Sequence, residues 1–176
     1  MIFTETKLSG AYIIEIKKSE DERGFFSRIW DKKVFEEKEL DSKILQSSIS
    51  FNKKRGTLRG MHYQIEPYEE SKLVRCINGR IYDVIVDLRK NSKTFKNWFS
   101  VELSATNYKI LYVPKGFAHG FQTLEDDSEV NYDMFQFYNP EHARGFKWND
   151  LTFKIKWPLE ISVISEKDKK YKLFVQ

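Results

Sequence analysis

The chain of 176 residues has one cysteine, Cys76. A disulfide framework and a multi-cysteine zinc site are therefore excluded within one chain. No window approaches ~20 uninterrupted apolar residues, so no transmembrane helix is expected. The opening stretch MIFTETKLSG has no basic region followed by an apolar run. No secretory signal is expected there, and the expected location is cytoplasmic. No charge of one sign dominates: the net charge is +4, with basic and acidic residues interleaved. A nucleic-acid partner is not indicated by that pattern, whereas a small anionic ligand suits it. There are three histidines, His62, His119 and His142, so each can be weighed separately. No internal repeat, low-complexity tract or linker interrupts the chain.

What is abundant is aromatic side chain: 14 Phe, 9 Tyr and 4 Trp. Such apolar area offsets the entropy of ordering, so the chain is expected to fold. Its length suits one domain of roughly 100–200 residues, spanning 1–176. Short segments rich in Val, Ile, Tyr and Phe recur between Gly, Pro, Asn and Asp. They predict strands over residues 10–17, 43–51, 57–64, 72–77, 80–88, 98–103, 108–113, 120–124 and 128–137. Helical signal is thin: KKVFEEKEL (32–40) and the Lys-rich tail near Asp168. Many short strands at regular spacing indicate an all-β sandwich or barrel.

Asn78-Gly79 lies between KLVRCI and RIYDVIVDL. Asn-Gly favours a two-residue hairpin because both central residues need positive φ. That register predicts Ile77 opposite Arg80, Val74 opposite Asp83 and Lys72 opposite Ile85. Alternation then places Lys72, Val74, Cys76, Ile81, Asp83 and Ile85 on one face. Two charges among apolar neighbours suggest an inward face around a polar cavity, with Lys72 and Asp83 as diagonal neighbours. An exposed ion pair is the plainer alternative. In VNYDMFQFY (130–138), Tyr132 and Tyr138 share a strand face, roughly 20 Å apart on an ideal strand. They could touch two ends of a long ligand, or simply pack as aromatics.

Two further clusters carry chemistry. GTLRGMHYQ (56–64) holds Arg59 and His62 on a strand. Strict alternation sets them on opposite faces unless Gly60 hosts a bulge or a close backbone approach. PKGFAHGFQ (114–122) reads as a turn, with His119 between two glycines. A third cluster, ISEKD (164–168), lies near the C-terminus.

With these, DERGFF (21–26), KLVRC (72–76), IYDVIVDLR (81–89), LYVPKGFAHGFQTL (111–124), EVNY (129–132), FYNPEHARGFKWND (137–150) and IKWP (155–158) follow in an order that covers nearly the whole chain. Taken together they resemble the dTDP-4-dehydrorhamnose 3,5-epimerase family, the sugar-nucleotide epimerase branch of the cupin superfamily. The resemblance implies a cupin-type jelly-roll β-barrel with a few short helices. It implies a homodimer with exchanged N-terminal strands, a nucleotide-sugar substrate, and neither metal nor other cofactor. By the same resemblance His62 is the catalytic base and Asp168 the carboxylate that orients it. Lys72 is the cation beside the sugar's keto oxygen, and Tyr132 the general acid. Arg23, Gln46, Arg59, His119, Tyr138 and Lys167 contact the substrate, Tyr138 by stacking on the base and Arg23 in the site of a partner subunit. Asp83 joins the substrate-binding candidates. Three positions depart from the family pattern: Arg28 in place of a glutamate, Gln46-Ser47-Ser48 in place of Gln-Asp-Asn, and Ala143 in place of the second glutamate of Pro-Glu-x-Glu-Arg-Gly.

The implied reaction inverts carbons beside a C4 ketone. The ketone acidifies the neighbouring protons, but the enolate remains costly. A neutral imidazole suits proton removal near pH 7. A carboxylate can fix its tautomer, and a lysine in a low-dielectric cavity can meet the oxyanion. Inversion needs an acid on the opposite face, which a tyrosine on another strand can supply. The expected activity is epimerisation of a nucleotide-linked 4-keto-6-deoxyhexose at C3 and C5. Rival readings are a C3-only epimerase or ketoisomerase, and a non-catalytic carbohydrate-binding β-domain. A metal-dependent cupin would need His-x-His, whereas Gln64 stands two places after His62.

Overall fold

The computed structural model describes residues 1–175. In chain order the elements are β1 (Ile2–Glu5), β2 (Tyr12–Glu15), β3 (Ser19–Asp21), β4 (Gly24–Phe26), α1 (Lys32–Glu37), β5 (Gln46–Asn52), β6 (Thr57–Gln64) and β7 (Lys72–Asn78). There follow β8 (Arg80–Asp87), β9 (Trp98–Ser104), β10 (Ile110–Val113), β11 (Phe117–Thr123), β12 (Ser128–Met134), β13 (Ala143–Gly145), β14 (Val163–Ile164) and α2 (Glu166–Lys170). One sheet runs β1-β2-β10-β7-β12-β5 and the other β13-β6-β11-β8-β9. β14 adds to β6 in parallel, and β3-β4 form a separate small hairpin. The two large sheets make the jelly-roll architecture.

Three apolar layers explain the strand composition. Val74, Cys76, Ile81, Ile85, Leu111, Phe121 and Val130 meet between the sheets. Ile14, Phe35, Leu73, Tyr112 and Phe135 cover the outer face of the first sheet, with α1 as its lid. Met61, Val84, Val86, Phe146 and Phe153 cover the outer face of the second. Strand β8 is thus buried on both faces. That is why Val84, Ile85 and Val86 form an uninterrupted apolar run rather than an alternating one. Helix α1 starts at Asp31, whose carboxylate accepts from the Lys33 and Val34 N–H groups. It inserts Phe35, fully buried, a contribution of about 1.5–3 kcal/mol in transfer terms.

The structure corrects the Asn78-Gly79 hairpin. β7 and β8 do not pair; they belong to facing sheets. Asn78 is held by β12, opposite Glu129, and its side chain donates to the Asp127 carbonyl. Arg80 is held by β9, opposite Ser104. Gly79 has φ +70°, but Asn78 is not among the positive-φ residues, so the two-residue turn is not made. The segment is a corner from one sheet to the other. The shared inward face survives, because Val74 and Cys76 meet Ile81 and Ile85 across the core rather than along a ladder. Lys72 and Asp83 are accordingly not cross-strand neighbours.

Other boundaries shift for local reasons. The strand expected over 120–124 starts earlier, at Phe117, and His119 lies mid-strand rather than on a turn. Gly120 is in that strand because a Cβ there would sit 2.7 Å from Met61 Sδ and 2.8 Å from the Arg59 carbonyl oxygen. The strand expected over 128–137 ends at Met134, so Tyr138 does not share a strand with Tyr132. The 108–113 strand begins at Ile110: the Asn107 side chain accepts from the Ser104 and Lys109 N–H groups and bends the chain at Tyr108.

Candidate active site

A cavity of about 500 Å³ opens between the sheets, within the usual size of a small-molecule site. Its wall includes His62, Arg59, Lys72, His119, Tyr132, Tyr138, Lys167 and Asp168. These side chains come from both sheets and from the C-terminal segment.

His62 is brought to Asp168 by chain topology. β14 runs parallel to β6, with Val163 beside Thr57 and Ile164 beside Leu58. Ser165 then caps α2, accepting from the Asp168 N–H at 3.0 Å. The first turn of α2 therefore sits against the middle of β6. His62 Nε2 and Asp168 Oδ1 lie 2.7 Å apart, and the Gly60 N–H donates to the other carboxylate oxygen at 3.3 Å. The His62 side chain is 43% exposed and that of Asp168 4%. Burial by itself raises the Asp168 pKa. Hydrogen bonding and charge from His62, the Gly60 N–H and the Ser165 hydroxyl outweigh it, so the carboxyl lies below its ordinary range. An ionised carboxylate only accepts, so Nε2 carries the hydrogen and Nδ1 keeps the lone pair.

Arg59 and His62 do face the same cavity, and the Gly60 exception explains it. Against β11, His62 pairs with His119 but Arg59 with Phe121, so β6 spends three residue steps where β11 spends two. This bulge cancels the alternation. It needs glycine on both strands, since a Cβ on Gly60 would lie 2.6 Å from Gly120 Cα.

The facing sheet supplies the other groups. Tyr132 on β12 pairs with Val74, and Lys72 on β7 pairs with Met134. The two side chains are thus diagonal neighbours on the cavity face. Burial, and secondarily the negative charge of Asp83, push the Tyr132 phenol well above its ordinary value; Arg59 partly offsets them. It stays protonated. Lys72 Nζ lies 2.6 Å from Glu70 Oε1, an ion pair whose side chains are 8% and 11% exposed. His119 Nε2 lies 2.8 Å from the fully buried Asp83 and packs edge-on against the Tyr132 ring.

Three candidates fall outside the wall. Asp83 stands behind His119, as its partner. Gln46 accepts from the Tyr138 N–H at 2.7 Å and so braces the segment that carries Tyr138. Arg23 lies on the exposed β3-β4 hairpin, paired with Asp21. Of the three departures, Ser48 and Ala143 line the cavity, while Arg28 pairs with Asp31 at 3.2 Å. Sequence reasoning missed Gln64, Glu70, Arg144 and Tyr171 in the wall. The i, i+2 spacing of Glu70 to the inward Lys72 was a usable signal for one of them. Tyr171 meets the His62 ring edge-on at 5.8 Å, a contact that no local pattern announces.

The comparisons with known proteins agree along the chain. The family model described as dTDP-4-dehydrorhamnose 3,5-epimerase matches residues 5–176. A dTDP-4-dehydrorhamnose 3,5-epimerase of Shigella flexneri is 45% identical over 166 residues, covering 93% of this chain and 91% of that protein. The crystal structure of the Elizabethkingia anophelis dTDP-4-dehydrorhamnose 3,5-epimerase superposes with a TM-score of 0.96 at 41% identity, covering 99% of this chain and 96% of that one. The Legionella pneumophila dTDP-6-deoxy-D-glucose-3,5-epimerase, solved in complex with dTDP-4-keto-L-rhamnose, has a TM-score of 0.91 at 37% identity, covering 98% and 92%.

Proposed function

The chain belongs to the dTDP-4-dehydrorhamnose 3,5-epimerase family, and from that membership we propose how its cavity carries out the reaction. The protein is an isomerase. It inverts C3 and C5 of a dTDP-linked 4-keto-6-deoxyhexose, converting dTDP-4-dehydro-6-deoxyglucose to dTDP-4-dehydrorhamnose. The observation that carries the reading is the opposition of His62, backed by Asp168, to Tyr132 across one cavity, with Lys72 on the tyrosine's sheet.

His62 removes a proton next to the ketone. Asp168 holds the imidazole and stabilises the imidazolium that forms. Lys72 meets the oxygen as the enolate develops; a preorganised donor of this kind contributes roughly 10²–10³ in rate. Tyr132 delivers a proton to the other face, and its raised pKa keeps that proton available. Arg59, His119 and Lys167 contact the nucleotide sugar, and Tyr138 stacks on the base. Once the imidazolium has released its proton to solvent and the Tyr132 phenolate has taken one back, the same cycle, run at the second α-carbon, gives the double inversion.

A second copy of the chain completes the site. The β3-β4 hairpin is hydrogen-bonded to neither large sheet and exposes Phe26 by 74%, while β5 leaves an open edge with Ile49 and Phe51 exposed. Exchange of N-terminal strands covers these surfaces and carries Arg23 into the partner's cavity. Light scattering should give twice the chain mass. No helix among the described residues is long and apolar enough to cross a membrane.

Proton NMR in deuterated water with dTDP-4-keto-6-deoxyglucose tests the activity. Deuterium should enter at C3 and C5 as product forms. Exchange at C3 alone would reduce the enzyme to a monoepimerase, and no exchange with intact binding would leave a carbohydrate-binding domain.

A further inference from the structure

We propose that Glu70 is a positioning residue for the reaction: its carboxylate, fixed by Gln64, holds the Lys72 ammonium where the substrate's keto oxygen comes to lie. This rests on the reading of Lys72 as the cation that meets the oxyanion.

A lysine carries its charge on a flexible four-carbon stem with freely rotating donors. Placing it at one point of a cavity needs a second contact. Glu70 Oε1 supplies it at 2.6 Å, in the range of a strong charge-assisted hydrogen bond. The ammonium has three donors, so two stay free for the keto oxygen. Glu70 itself is anchored. The Gln64 side-chain oxygen accepts from the Asn139 N–H at 2.6 Å, which settles the amide's orientation. Its Nε2 then donates on the other side, to the Tyr68 carbonyl at 2.9 Å and, at 3.2 Å, toward Glu70 Oε2 and the Phe137 carbonyl. The intervening Ser71 is fully buried; its hydroxyl donates to Asp41 at 2.6 Å, and its carbonyl accepts from the Phe135 N–H. The backbone between the two charges is therefore pinned as well.

An ion pair this deep is a poor stabiliser, because desolvation consumes much of the attraction. Apolar residues would serve packing better. Both charges instead line the cavity beside Tyr132. A carboxylate so close also draws off part of the lysine's field, so the arrangement trades charge for placement. A functional role accounts for that trade, and a packing role does not.

The test is a double-mutant cycle between Glu70→Ala and Lys72→Ala, read as kcat, KM and dTDP affinity. Displacing a preorganised donor should cost less than deleting it, so Glu70→Ala should lower kcat by roughly 10–100-fold, with KM and dTDP affinity within about threefold of the parent. In the Lys72→Ala background the same change should move kcat by less than about twofold, because its target is gone. Glu70→Gln keeps an acceptor at the same reach and should restore kcat to several times that of Glu70→Ala. Should Glu70→Ala not fold, Glu70→Asp replaces it in the cycle with the same expected pattern. A Lys72→Ala enzyme at the parent's kcat would remove the reading of Lys72, and this proposal with it. A damaged Lys72→Ala enzyme beside a Glu70→Ala enzyme at parental kcat, or equal losses in both backgrounds, would overturn the positioning role alone.

Discussion

Gly60→Ala tests how the fold sets His62, the proposed base. Gly60 has φ +123°, a conformation that costs a residue with a Cβ about 1–3 kcal/mol. The added methyl would also meet Gly120 Cα at 2.6 Å and the His119 carbonyl oxygen at 3.0 Å. Both are backbone atoms in the centre of a sheet, so neither can rotate away. Overpacking of this kind adds about 1–3 kcal/mol. The sum is about 2–6 kcal/mol, a fall in Tm of roughly 4–24 °C for a chain of this length. Gly24 is the control: its φ is +122°, but nothing lies within 4 Å of the Cβ position. Gly24→Ala should show only the conformational part, roughly 2–12 °C. The excess in Gly60→Ala measures the contact. Relief of that contact has to push β6 away from β11 beside His62, and its N–H bond to Asp168 moves too. Displacement by about 1 Å can cost 10²-fold, so kcat should fall by roughly 10–10²-fold. Thermal denaturation of both variants and steady-state kinetics of Gly60→Ala suffice. Parental kcat with a Tm no lower than that of Gly24→Ala would refute the glycine-gated bulge.

In Tyr132→Phe the ring stays but the proton is lost. Washout of substrate protium into deuterated water should continue while epimerised product falls sharply, and inversion at the parent's rate would remove Tyr132 as the acid. Because the Asp168 carboxyl lies below 3.8, the value for an unperturbed aspartate, its stabilisation is fully present above pH 3.8 and lost as pH falls through the lower folded-state value. The stability gap between the parent and Asp168→Asn should therefore close in acid, as pH falls below 3.8; a gap unchanged in that range would contradict the assigned shift. Tyr138→Ala should weaken dTDP binding by about 1–3 kcal/mol, the scale of base stacking, with much less effect on kcat at saturation. Equal calorimetric affinities in parent and variant would remove the stacking role.

The fold class was legible because strand composition and turn residues are local signals. Pairing was not. Asn78-Gly79 has the composition of a tight hairpin, yet the two flanking strands find better partners in β12 and β9, on different sheets. Tertiary pairing decided against local turn preference. The inward direction of Lys72 and Asp83 was nevertheless readable, since side-chain alternation is a property of each strand alone. Short β13 and β14 were invisible: two or three residues hold no periodicity, and they exist because β6 offers a free edge. The site was legible mainly through motif order. His62 and Asp168 stand 106 positions apart, and the parallel β14 contact brings them together. Tyr171 escaped because its significance lies in what it touches, the His62 ring.

Inversion requires a base and an acid on opposite sides of a sugar ring, and two facing sheets meet that requirement directly. His62 on β6, the proposed base, and Tyr132 on β12, the proposed acid, cannot collapse onto one another, because the strands belong to opposed layers packed on a common core. The environments of the two groups differ in the useful direction. In the proposed cycle the half-exposed imidazole of His62 can return its proton to water between one inversion and the next. Tyr132 is desolvated and faces the negative charge of Asp83, so ionisation costs more and the phenol holds its proton, as the proposed acid must until an enolate forms. The buried pair Asp83–His119 thereby acts on the chemistry without lining the cavity through its carboxylate. Removing the charge with Asp83→Asn would lower one barrier to Tyr132 ionisation and strip His119 of its anionic partner at the same time. The logic of the cavity is therefore electrostatic placement: carboxylates stand behind His62, His119 and Lys72, and each is held by the fold rather than by the substrate.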